Sequence, residues 1–132
     1  MTKYLTKDEV FAAQDLPVED VDCPEWGGVL RVRGLNGAQR DAWEASIQKK
    51  LPSGEVVPDF NDIRAKFVSR VVVDENNIRM FTDAEVKKLT EKSAIPLDRI
   101  CDVGKRISGM SDDAITVAEG NSDGQSDGST TA

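Results

Sequence analysis

The stretch Ile63–Val86, IRAKFVSRVVVDENNIRMFTDAEV, changes its hydrophobic period twice, and this constrains the fold more than any other part of the chain. Ile63, Phe67 and Val71 recur at i, i+4 and i+8, which is one stripe of a helix. A β-branched run, Val71-Val72-Val73, follows, broken by the polar turn Asp74-Glu75-Asn76-Asn77. After a short apolar return from Ile78 to Phe81, Thr82-Asp83-Ala84-Glu85 reads as a capping box. Its threonine hydroxyl and glutamate carboxylate can satisfy free amides at a new helix start. Helix, minor hairpin near Val71–Phe81, capped helix: the remaining elements must pack around this knot.

The elements before it are shorter. Thr6-Lys7-Asp8-Glu9 is a second capping box, predicting a short helix from Lys7 to about Gln14, stopped by Pro17. Val18–Cys23 places Val21 and Cys23 on one face with acids between them, the pattern of an exposed strand. Turn residues Pro24 to Gly28 lead to Val29–Arg33, where Leu30 and Val32 share a face, so the two runs predict a β-hairpin. Two strands alone are marginal, and this hairpin must lie on helices or pair with another chain. Trp26 falls at its tip or folds back over it, as a lid on the core or as an anchor for a partner, since indole rings serve both.

Asn36-Gly37-Ala38-Gln39 offers a helix start, and Ala42, Trp43, Ile47 and Leu51 supply its stripe. Pro52–Asp59, with two prolines and a glycine, reads as a loop. Beyond the central knot, Val86 and Leu89 face inward from a short helix. Ser93 can cap the last long helix, with Pro96 tolerated in its first turn. There Leu97, Ile100, Cys101, Gly104 and Ile107 form an apolar stripe whose central glycine implies close helix–helix contact. Gly109 closes it, and Ser111–Ala118 can add a turn or two. The fold class is therefore α+β, predominantly helical, with an N-terminal hairpin, a minor second hairpin and about five helices.

The end differs in kind. From Glu119 the chain reads EGNSDGQSDGSTTA, with no residue able to anchor a core, and is expected to be disordered. Residues 1–118 then form one domain and 119–132 a flexible acidic tail. The formal charge of −7 falls only to −4 without the tail's three acids, so the folded body is itself acidic. That balance disfavours nucleic acid and anionic membranes as partners. No apolar run is long enough to span a membrane, and MTKYLTKDEV lacks the apolar core of a signal peptide.

Little in the chain points to catalysis. There is no histidine, so the usual general base is missing, and no serine or cysteine has an evident activating partner. Cys23 and Cys101 are far apart and read as reduced structural thiols rather than a disulfide or zinc ligands. The acids around Glu19-Asp20 and Asp112-Asp113 are explained by a solvated strand edge and a helix N-terminus. Asp74–Glu85 has carboxylate or amide groups at positions 1 and 3 and a glutamate at 12 of a calcium loop. Ile78 and Arg79 stand where a ligand and a glycine are needed, and calcium is rejected. No cofactor is expected.

The order and spacing of several segments resemble the tail assembly chaperones of long-tailed bacteriophages. The segments are Glu25-Trp26-Gly27, Val29–Arg33, Arg40–Ala45, Arg64-Ala65, Val73-Asp74-Glu75 and Phe81-Thr82-Asp83. The match spans about residues 1–118. It departs at Asn76-Asn77, where a turn glycine would be expected. The resemblance implies a non-catalytic protein of the host cytoplasm that binds the long, helical tape measure protein and helps tail-tube subunits polymerise around it. Such chaperones are absent from the finished particle. Weak self-association and contact with the tail tube protein accompany this reading. Trp26 and the stripe Leu97, Ile100, Gly104, Ile107 are the candidate partner-binding residues. The alternative from another class is a structural neck or tail-completion subunit of the particle.

The family commonly makes a second, longer product by a programmed ribosomal frameshift. Glu119-Gly120-Asn121 can be encoded GAG-GGA-AAC, which contains a slippery string of the right form and phase. A slip at Gly120-Asn121 would exchange the tail for a new C-terminal domain and leave the core intact, because few contacts cross that boundary. Lys49-Lys50 and Lys87-Lys88 can also encode slippery strings, but they lie inside the fold.

Overall fold

The computed structural model describes residues 2–110. The tail, the extra turns at Ser111–Ala118 and the Gly120-Asn121 position lie outside the described residues. Among these residues the fold is α+β, with five α-helices and an N-terminal hairpin.

Helix α1, Lys7–Ala12, is followed by β1, Val18–Cys23, and β2, Gly28–Arg33, which pair antiparallel from Val18↔Arg33 to Cys23↔Gly28. Val21 and Cys23 of β1 are buried, so the strand is exposed only on its acidic face. Helix α2, Gly37–Ser46, starts on an Asn36/Gln39 capping box, with each side chain accepting the other's backbone N–H at 2.8 and 2.9 Å. It stops a turn earlier than the stripe to Leu51 predicts. Gln48–Lys50 (β3) pairs instead with Val56–Pro58 (β4), in a stretch expected as helix end and loop. The cause is local. The Leu51–Glu55 turn, with Gly54 at φ +94°, folds the chain back on itself and brings the extended flanks into register.

Helix α3, Ile63–Val71, runs directly into β5, Val72–Val73. This strand pairs with β2, giving a three-stranded sheet in the order β1-β2-β5. The third strand that the N-terminal hairpin requires thus comes from its own chain. The minor hairpin is present as a bridge between Val73 and Arg79, with Met80 N–H donating to the Val72 carbonyl at 3.1 Å. Its turn needs no glycine, because Asn77 itself takes φ +64°, a region asparagine tolerates. Oδ1 of the Asp74 carboxylate accepts the amides of Asn76 and Ile78, at 2.8 and 3.0 Å, which fastens the turn.

Helices α4, Val86–Thr90, and α5, Ala94–Ile107, complete the domain. Ser93 caps α5, accepting from Ile95 N–H at 3.2 Å. Sheet, α3 and α5 enclose one core that includes Val32, Phe67, Val68, Val71, Val72 and Ile100, each fully buried. Gly104 of α5 lies against α3. A Cβ added there would fall 2.8 Å from a Phe67 ring carbon and 3.1 Å from a Val71 methyl. This is the close approach the sequence anticipates. Trp43 of α2 meets the same Phe67 ring edge-on, with centroids 5.2 Å apart. Cys23 and Cys101 are free and buried, and burial pushes the Cys101 thiol up to about 12, where it stays protonated and inert.

Candidate partner-binding groove

The tip of the β1–β2 hairpin is one turn of 3₁₀ helix, Pro24–Trp26, closed by Gly27 at φ +81°. Proline fixes the entry and glycine alone adopts the exit without strain. The turn is fastened to α5 by Arg99. Its guanidinium donates to both Glu25 carboxylate oxygens at 2.9 Å and to the Asp22 carbonyl at 3.0 Å. Bidentate pairing of this kind fixes orientation as well as distance. The hydrogen bonds from Arg99 hold the Glu25 carboxyl down from 4.5 to about 2. The pair therefore contributes stability above pH 4.5 that is lost as pH falls towards 2.

So held, Trp26 is half-buried and forms one wall of an apolar groove of about 260 Å³. Leu30 of β2, Phe81 and Leu89 of α4 supply the rest, with Glu85, Lys88 and Lys92 at the rim. Phe81 is positioned by the segment before α4. Arg79 donates to the Ser69 carbonyl at 2.8 Å and to Asp83 at 2.7 Å, tying that segment to α3. Then Thr82 N–H donates to the Glu85 carboxylate at 2.9 Å and starts the next turn. The groove is smaller than the usual small-molecule site, and its walls offer no convergent polar groups. It suits one or two apolar side chains of a protein partner.

Of the residues proposed from sequence, Trp26 alone lines this groove. Leu97, Ile100 and Gly104 require a correction: they are buried in the domain, and Ile107 packs beside them. Their stripe is spent on α3, since Gly104 allows the helices to touch and so closes the face a partner would need. Leu30, Phe81 and Leu89 were not foreseen as site residues. Phe81 and Val86 do carry a sequence signal, at the N′ and N4 positions of a hydrophobic staple around the Thr82 cap.

Among the described residues there is no group of three or more His, Cys, Asp or Glu side chains able to hold a metal ion. No helix among them is long and apolar enough to cross a membrane. Comparison with protein-family models, curated proteins and solved structures finds no match to the chain.

Proposed function

We propose that the protein is a non-catalytic assembly chaperone of the phage-tail type, binding an amphipathic helical client, the tape measure protein, and promoting tail-tube polymerisation. The observation that carries this reading is the groove between Trp26, Leu30, Phe81 and Leu89, open, apolar and of side-chain size. A long amphipathic helix aggregates through its apolar stripe, and a groove of this kind masks one or two of its anchors at a time. Many copies along the client then cover the stripe. The ordered resemblance from Glu25 to Asp83 supports the same role. The protein acts in the host cytoplasm without a cofactor, membrane or nucleic acid, and leaves before the particle is complete. A longer form arises by a −1 slip at Gly120-Asn121.

Co-expression tests it. The wild-type chain should raise the soluble fraction of the tape measure protein, and Trp26→Ser should remove most of that effect. Lys88→Glu with Lys92→Glu alters the rim without touching the core and serves as the second variant. Stoichiometric presence of the chain in purified particles would overturn the reading in favour of a neck or tail-completion subunit. The codons for Gly120-Asn121, and a −1 frame overlapping them, decide the origin of the longer form.

A further inference from the structure

Helix α3 spends its apolar stripe on the core and carries two cations beside it. Lys66 and Arg70 stand at i and i+4, hence on one face, and both line an open cleft of about 290 Å³ between the end of α2, α3 and α4. Neither has used up its donors. The Lys66 ammonium donates to the Ser46 carbonyl at 2.8 Å and has no carboxylate partner among the described residues. The Arg70 side chain is only 16% exposed and lies 3.3 Å from Asp83 Oδ1, yet its guanidinium makes no hydrogen bond among the described residues. That oxygen already accepts from Arg79 at 2.7 Å. A guanidinium so withdrawn from water, with its fork of donors unspent, is costly unless a further acceptor meets it.

The charges around the cleft do not balance either. Lys66, Arg70 and Lys87 line it and Arg79 stands behind Asp83, whereas the carboxylates are Asp62 and Asp83 alone. Asp62 is engaged by Lys87 at 3.1 Å. Four cations against two carboxylates leave two positive charges in excess, in a chain whose formal charge is −7.

We propose that this cleft binds a phosphoryl group, as free phosphate or as a small phosphate monoester. A carboxylate brings one charge and two oxygens in a plane. The donors here come from two elements, Lys66 and Arg70 from α3 and Lys87 from α4. A tetrahedral dianion has an oxygen for each of them and matches the excess charge. Arginine's planar fork takes two such oxygens in parallel, and an ammonium serves the third as a point charge. The cleft and the Trp26 groove share no lining residue, so this site stands apart from the client reading.

The test titrates the full chain with inorganic phosphate at about pH 8, where it is a dianion, with chloride holding the ionic strength constant. Amide shifts of Ser46, Lys66, Ser69 and Lys87 should move and saturate together. Lys66→Gln and Arg70→Gln should each weaken binding at least ~tenfold, the usual loss for a charge-assisted contact. Lys87→Gln removes a side chain that is 82% exposed, so it tests the cleft without putting the fold at stake, and should weaken binding several-fold. Trp26→Ser should leave phosphate binding unchanged. Methyl phosphate then decides the source: tighter binding than inorganic phosphate supports an ester, and weaker binding supports the free ion. Shifts that never saturate, or that chloride alone reproduces, would overturn the proposal. So would acetate binding as tightly as phosphate, or an affinity for phosphate that none of the three cleft substitutions alters.

Discussion

Two six-residue segments of this chain share one local design and meet opposite fates. Leu5-Thr6-Lys7-Asp8-Glu9-Val10 and Phe81-Thr82-Asp83-Ala84-Glu85-Val86 each place an apolar pair around a threonine–glutamate capping box. In both, the threonine N–H donates to the glutamate carboxylate at 2.9 Å, and the threonine hydroxyl approaches it at 3.1 and 3.2 Å. Phe81 and Val86 pack on the core, and their turn leads into α4. Leu5 and Val10 are exposed. A capping box therefore determines where a helix begins and says nothing about what the helix is for. The decision is made by the next layer out, whether a folded surface of the same chain stands within reach of the apolar pair.

The largest break in this comparison comes from the core that shelters the second segment. Ile100→Asp puts a carboxylate at a site with no solvent access, against α3 and the sheet. Such burial costs more than ~4 kcal/mol and should unfold the body, seen as loss of the cooperative urea transition. Circular dichroism of this variant should then match the denatured chain. Lost client binding by this variant would report unfolding, not a broken interface.

Next in size is Gly104→Ala. The added methyl must displace the Phe67 ring and the Val71 methyls, both held from several sides. Overpacking of this kind costs about 1–3 kcal/mol, read as a lower urea midpoint with an unchanged slope. A neutral or stabilising outcome would mean that α5 can slide away from α3, and the account of their contact would have to be revised.

These two sites also show what could be read in advance. The stripe Leu97–Ile107, its central glycine and the helix Ile63–Val71 were legible because each follows a helical period. What faces the stripe was not, since sequence period gives a buried face without naming its cover. For the same reason Leu97, Ile100 and Gly104 suggested a partner surface until α3 occupied it. Trp26 was legible as ambiguous, and the Arg99–Glu25 clamp that aims it joins residues far apart in the chain, leaving no local trace. The pairing of β3 with β4, from Gln48↔Pro58 to Lys50↔Val56, was hidden differently. Ile47 and Leu51 continue the helical stripe of α2, and only the Leu51–Glu55 turn ends it.

Smaller still is the effect of removing each threonine. Thr82→Ala should cost about 1 kcal/mol of global stability, the usual value of a cap on a packed turn. Thr6→Ala should leave the urea midpoint of the monomer where it is, because α1 contributes no buried residue. It should act only on α1 itself, as a loss of amide protection in the first turn. Equal effects of the two substitutions on global unfolding would show that α1 is part of the body's cooperative unit.

The finest distinction lies in how the two glutamates titrate. Both carboxyls are held below 4.5, so in each case the stabilisation is fully present above that pH and is lost as pH falls through the lowered value. The causes differ. For Glu9 the first is Lys3, whose ammonium lies 2.8 Å away between two solvent-exposed side chains. For Glu85 the first is the Thr82 backbone N–H, followed by the Thr82 hydroxyl, with Lys88 acting only as a distant charge. Added salt screens an exposed ion pair and has little hold on a hydrogen bond to the backbone. Raising the ionic strength should therefore move the Glu9 titration back towards 4.5 and leave that of Glu85 almost in place, as followed by carboxyl carbon shifts. Because Glu9 stabilises only α1, its protonation should loosen that helix without lowering the body's melting temperature, whereas protonation of Glu85 should lower it. A Glu9 titration that ignores salt would mean that Lys3 is not its main partner.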